Sequence, residues 1–139
     1  MHGIKTVPLP FILGNGFLKT AKRLIVTEGQ WDCISFATWS GWLENDASWP
    51  EHVVCAGICG VHNWWKLTEF YSWPSDVSVI LIPDNDSAGM TWETEFLNVL
   101  KKRSAKVSVF IPNGSDLGDQ LSVTENKEAL LSEMVRRFA

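Results

Sequence analysis

Positive charge is in short supply in this chain: 12 Lys and Arg stand against 16 Asp and Glu, a formal net charge of −4. That balance excludes a free-standing basic nucleic-acid binder, although bound divalent cations can supply positive charge locally. Cysteine is scarce as well. The three present (Cys33, Cys55 and Cys59) are an odd number with no disulfide framework, so a reduced, cytoplasmic setting is the simpler reading. The opening "MHGIKTVPLPFILGNG" lacks the apolar core of a signal peptide or a membrane span. No repeat period organises the eight tryptophans, so nothing marks a solenoid or propeller. What is there fits one globular domain with a single core: 139 residues, 45% hydrophobic and 20% charged.

Residues 1–21, punctuated by Pro8, Pro10, Gly14 and Gly16, read as a lead-in segment to a domain over 22–139. From there apolar runs alternate with helical patterns. Strands are predicted at 23–29, 52–57, 76–83 and 105–114, the third being the most hydrophobic and suited to the middle of a sheet. Helices are predicted at 30–43, 62–73, 87–103 and 124–139. Cys33, Ile34, Ala37 and Gly41 give the first a face of small residues. Ala88, Trp92, Phe96, Val99 and Leu100 mark the third, and Leu130, Leu131, Met134, Val135 and Phe138 the last. This order predicts an α/β fold with a four-stranded, mostly parallel sheet and helices on both faces.

Sites in open parallel sheets form beyond the carboxyl ends of the strands, and here those ends share a chemistry. The first predicted strand leads into Glu28, with Asp32 one turn later; the second into the glycine turn "AGICG"; the third into Asp84 and Asp86; the fourth into "IPNGSDLGDQL", with Asp116 and Asp119. Strand side chains alternate with period two, so Asp84 and Asp86 are expected to point the same way if the strand geometry persists. Like charges gathered beside a core repel and lose their water, a cost that a hard divalent cation offsets. Mg²⁺, or Mn²⁺, suits such a site, since it takes oxygen ligands from one or two carboxylates plus phosphate. The competing reading of the Asp84–Asp86 pair is a turn with a helix cap, supplied by Asp86 or Ser87, with Gly89 allowing close approach.

The stretches "TEGQWD" (27–32), the glycine turn, "PDNDSAG" (83–89) and "GSDLGD" (114–119) together resemble the Toprim domain of bacterial-type primases, topoisomerases and some nucleases. The form is most similar to phage and plasmid primases or primase-helicases, with EG-x-x-D, then D-x-D-x-A-G, then K-D-x-x-D/E; Ser115 stands where that last pattern often has lysine. The resemblance covers roughly residues 22–122 and implies a Toprim-like, Rossmann-like fold. It implies Mg²⁺- or Mn²⁺-dependent nucleotidyl or phosphoryl transfer, with Glu28, Asp84 and Asp86 catalytic. Those three would hold the metal, with Asp32, Asp116 and Asp119 auxiliary. It further implies single-stranded DNA and nucleotides as partners, within a larger protein of a phage or mobile element. The alternatives are a non-catalytic Toprim-like module that binds metal, nucleotide or a partner, or a Toprim nuclease. A phosphatase with Asp84 as nucleophile is disfavoured by the late position of the aspartate pair.

Other signals are weighed against simpler readings. His52, Cys55, Cys59 and His62 are zinc-ligand types, but Cys55 is expected inside a buried strand and the two histidines at opposite ends of it. Trp64 and Trp65 offer a stacking platform for unpaired bases, or core packing. Lys101, Lys102, Arg103 and Lys106, like Lys19, Lys22 and Arg23, fall at the sheet edge away from the acids, where a helix C-terminus accounts for the first group. Lys66 starts a helix on the acid side and is the candidate phosphate contact, with Gly57 and Gly60 of the glycine turn.

Overall fold

The computed structural model describes residues 9–14, 18–45, 48–69, 73–74, 76–103 and 106–137. Five strands form one sheet: β1 (Phe11–Gly14), β2 (Arg23–Thr27), β3 (Val53–Gly57), β4 (Ser78–Ile82) and β5 (Lys106–Val109), in the order β1-β3-β2-β4-β5. The last four are parallel; β1 pairs antiparallel with the outer edge of β3. The expected four-stranded sheet is therefore corrected to five. The fifth strand comes from "FILG" inside the segment read as a lead-in, a four-residue run too short for its period to stand out beside prolines and glycines.

The helices are α1 (Gln30–Ser40), α2 (Lys66–Glu69), α3 (Ser87–Lys102), α4 (Leu117–Val123) and α5 (Lys127–Arg137). Period-two alternation sorts the strand residues onto two faces. Leu24, Val26, Val54, Ala56, Val79 and Leu81 pack with Leu67 of α2 and with Trp92, Phe96 and Leu100 of α3. Ile25, Cys55, Ile80 and Ile82 pack on the other face with Cys33, Phe36 and Ala37 of α1, Leu117 and Leu121 of α4, and Leu130 and Met134 of α5. Each fully buried aliphatic or aromatic side chain contributes about 1.5–3 kcal/mol. The two apolar layers thus carry the stability, and the strand ends are left free to hold groups that repel. Among the described residues no helix is long and apolar enough to cross a membrane.

The helices depart from the sequence reading at α2 and α4. α2 is one turn, because Asn63 Nδ2 donates to the Cys59 carbonyl (2.9 Å) and Gly60 adopts φ +139°, which spends the start of the predicted 62–73 helix on turns. α4 was not predicted: the acid-rich loop after β5 closes into a helix capped by Asp116. Of the residues predicted to face inward on the last helix, Leu130 and Met134 are buried; Phe138 and the side chains of Leu131 and Val135 lie outside the described residues, as does the Lys19 side chain.

Register places the site. Thr27 pairs with both Gly57 and Ile82, so β2, β3 and β4 end level with one another. The chain leaves β2 toward β3 on one side and returns to β4 on the other, which makes the β2/β4 boundary the point where strand order reverses. Ligand crevices form at such points. Glu28 and Asp84 follow the two strands that flank it.

Candidate metal centre

The β2 exit is held by hydrogen bonds that leave the acids free. Thr27 Oγ1 donates to the Gly29 carbonyl (2.9 Å), and the Glu28 carbonyl accepts from the Cys59 amide (2.8 Å), so the loops after β2 and β3 are joined. Gly57 permits this: a Cβ there would lie 2.9 Å from both the Gln30 Cα and the Gly29 carbonyl oxygen. α1 begins immediately, and Asp32 in its first turn faces inward, buried to 9% exposure.

The exits of β4 and β5 are tied in the same way. The Asn85 amide donates to the Ser115 carbonyl (2.8 Å) and its side-chain Nδ2 to the Pro112 carbonyl (3.3 Å), which brings the loop carrying Asp116 beside Asp84. The Asp86 amide donates to the Asp84 carbonyl (2.8 Å), a tight turn that ends the strand alternation. Asp86 then points away as the cap of α3, accepting from the Gly89 amide (2.7 Å). A Cβ at Gly89 would collide with the Asp84 carbonyl oxygen, so only glycine lets α3 start this close. On the far side, Asp116 Oδ1 accepts from the Asp119 amide (2.8 Å), and the Gly118 amide donates to Asp32 Oδ1 (3.1 Å).

The outcome is three carboxylates, from Asp32, Asp84 and Asp116, each with an oxygen within 4.8 Å of the others. With Glu28 they line a cavity of about 280 Å³ at the strand ends, together with Trp31, Cys59 and Gly60. Glu28 is anchored from behind: Trp92 Nε1, on α3, donates to Glu28 Oε1 at 2.8 Å.

Electrostatics work against the cluster. Burial, then the adjoining Glu28 carboxyl, then the charges of Asp32 and Asp116 push the Asp84 carboxyl up to about 8. Asp32 is also raised, chiefly by burial, with the Gly118 amide opposing the shift and the Asp116 and Glu28 charges adding to it. Asp84 Oδ1 is buried and has no hydrogen-bond donor. Its neighbours are other carboxylates, which bond to it only when a proton lies between them. A buried acceptor without a donor is costly. Three converging hard oxygens and this orphaned acceptor fit a hard divalent cation.

The remaining sequence candidates are placed elsewhere. Asp119 is exposed in the first turn of α4, and Asp86 is exposed at its cap; neither belongs to the three-carboxylate group. Gly60 reaches the cavity, whereas Gly57 is buried under the start of α1. Lys66 is 2% exposed with its ammonium 5.8 Å from the Trp65 ring centroid, and a buried ammonium is not offered to an external phosphate. His52 and His62 are exposed and Cys55 is fully buried; among the described residues, the metal-capable group is the carboxylate one. Sequence reasoning missed Trp92, 64 positions from its partner, and Trp31, which adjoins Asp32 in "TEGQWD" and was legible there.

Fold and site together define an α/β domain of the kind that gathers acids at strand ends. The chain belongs to the Toprim-like family: the family model of that description matches residues 25–121, a span containing every acidic side chain of the cavity. Toprim domains bind Mg²⁺ through acidic residues. No curated protein matches the chain significantly.

Proposed function

We propose that this chain is a Mg²⁺- or Mn²⁺-dependent Toprim module performing nucleotidyl transfer, of the primase or primase-helicase type, within a larger replication protein of a phage or mobile element. The observation that carries the reading is the convergence of Asp32, Asp84 and Asp116 around a buried, donor-less carboxylate oxygen at the switch point of the sheet. The EG-x-x-D, D-x-D-x-A-G and strand-end acid motifs in this order favour the primase type.

Asp32, Asp84 and Asp116 would hold the metal, which when bound would neutralise charge on phosphate oxygens. Glu28 is the group to move a proton. Trp92 holds one of its oxygens, leaving the other toward Asp84 and the cavity. Asp84 must shed its proton before it can ligate, so metal uptake and proton release are coupled at this side chain. Gly118 keeps Asp32 aligned through its amide, and Asp86 acts at a distance by fixing the start of α3.

A second reading, a binding-only module, is favoured by one observation: no Lys or Arg lines the acid cavity among the described residues. Incubation with single-stranded DNA, ribonucleotides and Mg²⁺ separates the readings. Ribonucleotide incorporation that disappears in Glu28→Gln and Asp84→Asn supports a primase module. Strand cleavage in its place assigns a nuclease. Metal uptake without either reaction in the intact parent protein assigns the binding-only role.

A further inference from the structure

The notable aromatic at the acid cavity is not one of the tryptophans that the sequence suggested for stacking. Trp64 lies on Phe96, with centroids 5.2 Å apart and planes 30° from parallel, and donates to Glu95 Oε2 at 3.1 Å. Trp65 is 41% exposed and lines no part of the acid cavity. Trp31 is 71% exposed, more than any other Trp or Phe among the described residues, and it does line that cavity. A lone exposed indole is ordinary; one on the wall of a cluster of hard-metal ligands is chemically specific.

Its position in α1 makes the relation rigid. Trp31 and Asp32 are consecutive in the first turn, and Asp32 is held by the Gly118 amide, so ring and carboxylate share one short piece of helix. The same α1 face continues through Ile34, Ser35 and Thr38 into an open groove of about 350 Å³ against Gly118 and Leu121 of α4. A ligand suited to this surface carries anionic oxygens at one end and a flat ring a few ångströms away. That is the chemistry of a nucleotide.

We propose that the indole of Trp31 is a stacking platform for a nucleobase, on which a nucleotide or single strand lays its base while its phosphate meets the Asp32–Asp84–Asp116 carboxylates through a divalent cation. This inference rests on the metal-dependent phosphate chemistry proposed above and names the surface that positions its substrate. With no cationic side chain lining the cavity among the described residues, the carboxylates repel a bare phosphate, so the cation strengthens strand binding. Stacking on an aromatic side chain is tolerant of sequence, with purines favoured for their larger face.

The test compares the wild-type chain with Trp31→Ala and Trp31→Phe, using a fluorescein-labelled oligodeoxyadenylate in Mn²⁺ and reading anisotropy. Mn²⁺ affinity is measured separately by calorimetry. Trp31→Ala is expected to weaken strand binding about 5- to 100-fold, and Trp31→Phe to keep most of it, with Mn²⁺ affinity unchanged in both. Equal strand affinity in wild type and Trp31→Ala overturns the inference, as does a metal-loaded wild type that binds no strand. Loss of self-association in Trp31→Ala with unaltered strand affinity would assign the ring to a protein contact and overturn it too. A wild type that takes up no Mn²⁺ contradicts the metal reading instead; a Trp31-dependent strand affinity measured without metal still upholds the stacking surface.

Discussion

Asp84 concentrates the tension of the site in one side chain. Its folded environment raises its carboxyl to about 8 because burial and the nearby Glu28, Asp32 and Asp116 all disfavour its charge. Asp84→Asn removes that charge but keeps the shape. It is expected to abolish Mn²⁺ uptake in calorimetry while raising the melting temperature of the metal-free chain at pH 8. Trp92 is the opposite case, a buried residue whose single polar atom supports a carboxylate. Trp92→Phe keeps an aromatic ring but leaves Glu28 Oε1 without its donor. Leaving a part-buried acceptor without its donor predicts a deficit of about 1–3 kcal/mol in urea melts. Metal affinity should weaken as well, which a purely packing role would not produce.

At the scale of elements, α3 depends on a contact that permits only glycine. Gly89→Ala forces a methyl group against the Asp84 carbonyl, and overpacking of this kind costs about 1–3 kcal/mol. Because the displaced backbone carries the metal ligand, Mn²⁺ affinity is expected to fall with stability. The strands β2 to β5 and the helices α1 and α3 were legible in sequence because β-branched runs and 3.6-residue spacing are dense there. β1 was not, since an edge strand of four residues with one partner leaves little pattern. α4 was hidden by its own cap. Asp116 and Asp119 read as loop acids, although Leu117, Gln120 and Leu121 mark a buried helical face. The strand-exit rule located Glu28, Asp32, Asp84 and Asp116 together, but strand periodicity misplaced Asp86. The chain turns at Asn85 rather than continuing extended, and a turn erases period two.

Among the described residues, a group of cations and the acid cluster lie toward opposite ends of the strands. Lys22, Arg23 and Lys106 stand at the strand starts, and Lys101, Lys102 and Arg103 at the C-terminal end of α3, while the carboxylates gather at the strand ends. The pH dependence follows from Asp84. Its carboxyl keeps a proton up to about pH 8 when folded, against an ordinary value of 3.8 when unfolded. Between those values the folded chain binds more protons, so its metal-free stability is full below the lower one and falls as pH rises through the upper one. Thermal melts of the metal-free chain should therefore decline from about pH 4 to pH 8 through this group, and the decline should be shallower in Asp84→Asn. Added Mn²⁺ should offset the loss most at high pH, where the carboxylates are already ionised.

Paramagnetic broadening of backbone amide signals by substoichiometric Mn²⁺ is the most direct test that these acids share one cation. Broadening should centre on Glu28 to Asp32, Asp84 and Asp116 to Gly118, spare the lysine-bearing edge, and vanish in Asp84→Asn. Diffuse broadening over the acidic surface, or a pattern unchanged in Asp84→Asn, would show that the carboxylates do not form a common centre.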